Sequence, residues 1–118
     1  MKIAITSKGA SRHYQVDPLF GRSEYIAIYD TEIEEYMFKS NKQDLNATQG
    51  AGIQTAQNII KYGAEAVITG HCGPEAFHVL HNEKIKIFIG ALDTVKHAIE
   101  DYRLGKLEEA EEADVEEN

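Results

Sequence analysis

The sequence predicts an α/β protein in which a five-stranded mixed sheet is covered by three helices, in the order βββαβαβα. Two patterns carry this prediction. Short β-branched and aromatic runs recur along the chain, and the last two of them each lead into a segment with helical apolar spacing. Glycines mark nearly every junction between the two kinds of segment, as expected where a strand must turn sharply into a helix.

Lys2-Ile3-Ala4-Ile5-Thr6 reads as a short central strand with Ile3 and Ile5 on one face. Ser7 to Val16 is polar and reads as a loop, and Asp17 to Ser23 is rich in turn residues around the apolar pair Leu19-Phe20. Tyr25 to Tyr29 is the second strand, and Glu35 to Lys39, after a polar turn, is a third running antiparallel to it. The mixed polarity of the third predicts an edge position. A polar connection from Asn41 to Ala47 precedes Gly50-Ala51-Gly52, which opens a helix with Ile53, Ala56, Ile59 and Ile60 on one face and Gly63 at its end. Ala66 to Thr69 has the composition of a buried strand. Pro74 then starts a helix reaching about Asn82, with Ala76, Phe77 and Leu80 directed inward. Lys86 to Gly90 is the last strand, and Asp93 is the expected N-cap of a final helix that buries Val95, Ala98, Ile99 and Tyr102 and ends at Gly105.

The βαβ units require right-handed crossovers and parallel strands, while the second strand is antiparallel to both its neighbours. That arrangement is ribonuclease H-like. Ligands of open α/β sheets bind beyond the carboxyl ends of the strands. This edge collects the loop after Thr6, Gly50 and Gly52, the stretch Gly70-His71-Cys72-Gly73, and Gly90 to Asp93.

Composition narrows the function. The 118 residues suit one domain, and no apolar run is long enough to span a bilayer. The single cysteine excludes an internal disulfide, so the cytoplasm is the expected location. Of 20 acids, seven fall between Glu108 and Glu117. The other 13 face 12 bases, which leaves the body at a net charge of −1. A nearly neutral body with an anionic tail has no footprint for nucleic acid. The expected domains are therefore residues 1–107 and an acidic, disordered tail at 108–118.

Several chemistries are then weighed. The glycine pairs match neither a dinucleotide fingerprint nor a Walker loop. His71-Cys72 at a strand-to-helix junction has the layout of a phosphatase loop, but the sixth residue after Cys72 is His78 and not the phosphate-gripping Arg. Two-metal nuclease chemistry needs carboxylates that the first and fourth strands lack. Among the soft or borderline ligands His13, His71, Cys72, His78 and His81 there is no C-x-x-C pair, so a closed zinc or all-cysteine cluster site is not expected. An open site remains, with Cys72 as thiolate, His71 as ligand or hydrogen-bond donor, and backbone N–H groups around them. Such a site suits an anionic sulfide-bridged cluster that is held and handed on.

Asp17-Pro18-Leu19-Phe20-Gly21-Arg22-Ser23-Glu24-Tyr25 resembles the D-x-x-F-G-R segment of the dinitrogenase iron–molybdenum cofactor biosynthesis family. Gly50-Ala51-Gly52-Ile53, Gly63 to Ile68, Gly73-Pro74-Glu75-Ala76-Phe77 and Lys86-Ile87-Phe88 match its later motifs in order, over nearly all of residues 1–107. The family includes carriers of nitrogenase assembly and stand-alone proteins, some binding a molybdenum–copper sulfide cluster. The resemblance implies a ribonuclease H-like fold and a non-enzymatic role: binding or carrying an Fe–S, Mo–Fe–S or Mo–Cu–S cluster, with a cofactor-assembly protein as partner. The expected cluster-binding residues are Arg22, Gly50, Gly52, Gly70, His71, Cys72 and Gly73, with Cys72 and His71 as metal ligands. The alternatives are a metal-free regulatory module on the same fold and, behind it, a Cys-dependent hydrolase.

Overall fold

The computed structural model describes residues 1–43 and 50–116. Of the connection expected at 41–47, residues 44–47 lie outside the described residues, as do the last two of the tail. The strands are β1 (Lys2–Ser7), β2 (Tyr25–Asp30), β3 (Glu35–Ser40), β4 (Ala66–Ile68), β5 (Lys86–Ile89) and β6 (Glu108–Glu109). The helices are α1 (Ala51–Lys61), α2 (Pro74–Asn82) and α3 (Val95–Arg103), with a 3-10 turn at Phe20–Arg22.

The sheet runs β3-β2-β1-β4-β5-β6. β1, β4 and β5 are parallel neighbours, and β2 is antiparallel to both β1 and β3. The expected mixed sheet, its three helices and the edge position of β3 are present. The expected strand number is corrected from five to six. The additional strand comes from the stretch expected to be a disordered tail, where Glu108 and Glu109 pair antiparallel with Ile89 and Phe88. Charge hid it: both residues are exposed, and their ladder is made by backbone groups that acidic side chains do not impede.

Both faces of the central strands are covered, so these strands read as continuous apolar runs rather than as alternation. On one face Ala4, Ile26, Ile28, Val67 and Ile87 pack with Phe20 and with Ala56, Ile59, Ala76 and Leu80 of α1 and α2. On the other Ile3, Ile5, Ala27, Ala66 and Ile68 pack with Val95, Ala98 and Ile99 of α3. The N-cap of α3 is Thr94, whose hydroxyl accepts from the His97 N–H at 3.1 Å, and not the expected Asp93. Asp93 instead accepts from the Thr94 N–H at 2.7 Å. The loop after β1 folds onto this helix start: the carbonyls of Tyr14 and Arg12 accept from the N–H groups of Val95 and Lys96. Two of the amides that every helix start leaves without an intrahelical partner are thereby satisfied within the chain.

Candidate functional site

The described residues bury six polar side chains, and all six lie at one edge of the sheet: Thr6, Ser7, Ser23, Asn41, Thr55 and Thr69. Thr6 and Ser7 end β1, Thr69 follows β4, Ser23 precedes β2, Asn41 follows β3 and Thr55 is in the first half of α1. A polar group out of water must be paired, so this edge is organised by hydrogen bonds. Thr6 Oγ1 lies 2.8 Å from Thr69 Oγ1 and 2.9 Å from the Asp17 carbonyl. Asn41 Nδ2 reaches the Ser23 carbonyl at 2.7 Å and Thr55 Oγ1 at 2.8 Å, while its Oδ1 accepts from Asn58 at 2.9 Å. Gln43 adds a bond to the Gly21 carbonyl at 2.7 Å. The network ties the 3-10 turn and the start of α1 to the end of β1.

The loop from Gly70 to Gly73 sits beside this network. Leu19 and His71 form a parallel bridge in which the His71 N–H donates to the Pro18 carbonyl at 2.8 Å and the Phe20 N–H to the His71 carbonyl at 3.3 Å. The approach is so close that a Cβ on Gly70 would stand 2.6 Å from Pro18 Cα. Glycine is required here for clearance. Phe20, fully buried, anchors the segment into the core.

Asp114 closes over this loop. Its Oδ1 accepts from the Cys72 N–H at 2.8 Å, its Oδ2 lies 2.8 Å from His71 Nδ1, and its own N–H donates to the Cys72 carbonyl at 3.2 Å. A carboxylate is thus received directly before the N-terminus of α2, where the helix dipole favours negative charge. Burial by itself raises the Asp114 carboxyl. The hydrogen bond from Cys72, and then those with His71, outweigh it and hold the group below the usual carboxylate range.

The expected thiolate ligand is differently placed. Cys72 presents its backbone to the edge while its sulfur is fully buried in the core with Phe20, Ala76 and Leu80, 3.6 Å from the Gly73 carbonyl. Burial, and then the charge of Asp114, push the thiol up to about 12. His71 is at the edge with a side chain 45% exposed. Arg22 is exposed on the 3-10 turn and lines a shallow cleft with Lys8, Asp17 and Glu24. Gly50 caps α1, and Gly52 is buried in its first turn. The structure therefore unites Gly70, His71, Cys72 and Gly73 in one loop and joins to it the segment that carries Arg22. Gly50 and Gly52 come from α1, which packs against α2 and the 3-10 turn.

His13 lies on the exposed loop after β1, and the other three histidines have other partners. His78 bonds Asn82, His81 stacks on Phe77, and His97 lies between Asp93 and Asp101. Among the described residues no three His, Cys, Asp or Glu side chains are grouped to hold a metal ion. Sequence reasoning missed Asp114, one acid in a run of acids, and the buried pair Asn41–Thr55, which looked like ordinary loop and helix polarity.

The family model described as dinitrogenase iron-molybdenum cofactor matches residues 1–105. The chain belongs to that family. It is 30% identical to the orange protein of Desulfovibrio gigas, solved in its apo form, with a TM-score of 0.90 over 97% of this chain and 96% of that one. A candidate NifB protein from Thermotoga is 31% identical, with a TM-score of 0.79 over 92% of this chain and 91% of that one. An uncharacterised protein of Methanocaldococcus jannaschii is 28% identical over 99 residues, 82% of this chain and 84% of its own length. Family membership accounts for a small carrier-type domain of cofactor biosynthesis. No helix among the described residues is long and apolar enough to cross a membrane.

Proposed function

We propose that this protein is a non-enzymatic carrier of an anionic metal–sulfur cluster, of the Fe–S, Mo–Fe–S or Mo–Cu–S type, working in the cytoplasm with a cofactor-assembly protein. The observation that carries this reading is the reception of a carboxylate by Cys72 N–H and His71 in front of α2. A site that holds one oxyanion through an amide, an imidazole and a helix end offers the same groups to the sulfides and oxo groups of a cluster. His71 serves as hydrogen-bond donor or metal ligand, and Arg22 as charge partner. Backbone amides of Gly70–Gly73 and of Gly50–Gly52 are assigned as further anion donors, as glycine turns before helices allow. Cys72 contributes its amide; its thiol becomes a ligand only if the loop turns it out of the core. The architecture is read as ribonuclease H-like with one strand added at the edge.

Anaerobic reconstitution with cluster components tests this. Wild-type protein is expected to acquire sulfide-to-metal charge-transfer absorption. His71→Ala should weaken uptake about tenfold, the loss of one charge-assisted contact. Cys72→Ser should keep most of it, because the amide is unchanged and a hydroxyl can donate to the Gly73 carbonyl as the thiol does. Absence of metal in anaerobically purified protein, together with no uptake on reconstitution, would remove the carrier reading in favour of a metal-free interaction module.

A further inference from the structure

The acidic C-terminal segment is bound in a way that differs from the rest of the fold. Its ladder with β5 is two residues long and ends with the Ala110 N–H donating to the Ile87 carbonyl at 2.8 Å. Glu108, Glu109, Glu111, Glu112 and Glu116 are exposed, and the small apolar residues Ala110, Ala113 and Val115 are only half-buried, so modest apolar burial holds the segment down. Beyond Ala110 it is Asp114 that ties it back, through both carboxylate oxygens and its own N–H. Between the segment and the edge of β5 lies a cleft of about 600 Å³ lined by Ile89 and residues 108–114. The excursion is thus loosely packed along its length and pinned at its end.

The pin falls on the groups that make the loop attractive to an anion. A clasp serving stability alone would be expected to bury apolar side chains or to pair with a surface cation. Asp114 instead occupies the Cys72 amide and contacts His71, and with it come six more of the chain's 20 acids. While the segment is seated, an anionic ligand meets both an occupied amide and a repulsive field.

We propose that the C-terminal segment is a removable occupant of the cluster site: Asp114 holds the position in which an anionic cluster is received, and loading expels the segment. This rests on the carrier reading. It makes the empty protein largely self-protected, since the loop is offered bare to stray anions only in the fraction of molecules whose segment is unseated. It also makes cargo entry a competition, so the affinity measured for a cluster is its intrinsic affinity reduced by the fraction of molecules in which the segment is seated.

The test uses the full chain and tetrathiomolybdate with a copper(I) salt as probe, followed by charge-transfer absorption. Asp114→Ala is expected to half-saturate at about a tenfold lower probe concentration than wild type. Asp114→Asn keeps an oxygen for the Cys72 amide but loses the charge, and should fall between them. In wild type, the Asp114 amide should exchange its hydrogen slowly when the protein is empty and rapidly when it is loaded. Equal affinity of all three proteins, with the Asp114 amide still protected after loading, overturns the occupant and leaves the carrier reading standing. Weaker uptake by Asp114→Ala also overturns it, making Asp114 a positioning partner of His71. No uptake by any of the three overturns the carrier reading, and the occupant with it. Should Asp114→Ala fail to fold, the Asn variant and the exchange measurement on wild type decide alone.

Discussion

Asp114 and Cys72 are joined twice through the main chain of Cys72: its N–H donates to the Asp114 carboxylate at 2.8 Å, and its carbonyl accepts from the Asp114 N–H at 3.2 Å. The two residues are 42 apart in sequence, yet neither bond uses the thiol. The feature that makes Cys72 conspicuous in the sequence, its sulfur, is turned inward, and the feature that any residue would have supplied, its amide, faces the site. This matters for chemistry. A buried thiol is poorly placed as nucleophile or ligand, whereas an amide before a helix start is an anion donor with no titration of its own.

The first prediction concerns that sulfur. With its pKa pushed up to about 12, the thiolate fraction of Cys72 at pH 8 is roughly a thousandfold below that of an ordinary cysteine, before its inaccessibility is counted. Iodoacetamide should therefore leave the native protein unmodified over hours and label it readily in denaturant, as followed by mass spectrometry. Labelling of native and denatured protein at similar rates would show that the loop turns its thiol outward in solution.

The second separates two glycines that the sequence presents as equals. A methyl on Gly70 meets backbone, Pro18 Cα at 2.6 Å and the Pro18 carbonyl oxygen at 2.9 Å, and backbone cannot rotate aside. Gly70→Ala should cost about 1–3 kcal/mol and loosen the Leu19–His71 bridge. Gly50, with φ −72° and nothing within 4 Å of a new Cβ, is an N-cap without a side-chain bond. Gly50→Ser should be neutral or stabilising by a few tenths of a kcal/mol. Urea denaturation midpoints at unchanged slope measure both.

These contrasts show what was legible in the chain. The order and type of the main elements followed from the apolar periodicity of Ile3–Ile5, Ile53–Ile60 and Val95–Ile99, because burial on both faces of the sheet imposes that pattern locally. The short strand at Glu108–Glu109 has no side-chain signature, since it is built from backbone groups alone. Asp93 and Thr94 are both good caps, and the geometry of the preceding loop chose between them. At the site, the loop Gly70–Gly73 was visible as a strand-to-helix glycine turn. Asp114 was not, because its partners lie 42 and 43 residues away and nothing in a run of acids distinguishes one carboxylate.

The third prediction tests the hidden part of the edge. Asn41 is 8% exposed and engages the Ser23 carbonyl, Thr55 Oγ1 and the Asn58 side chain. Asn41→Leu removes all three at once and leaves the buried Ser23 carbonyl without that donor. A loss of about 2–3 kcal/mol is expected, the desolvation of a buried acceptor left unpaired added to the lost bonds. Asn41→Asp restores the oxygen that accepts from Asn58 but not the donor, and should recover only part of it. The effect should also be local. Amides of Ser23 and Tyr25, at the joint between the 3-10 turn and β2, should lose hydrogen-exchange protection, while those of Val67 and Ile87 in the parallel centre keep it. Uniform loss across the sheet would mean that Asn41 supports global stability and does not specifically brace this edge.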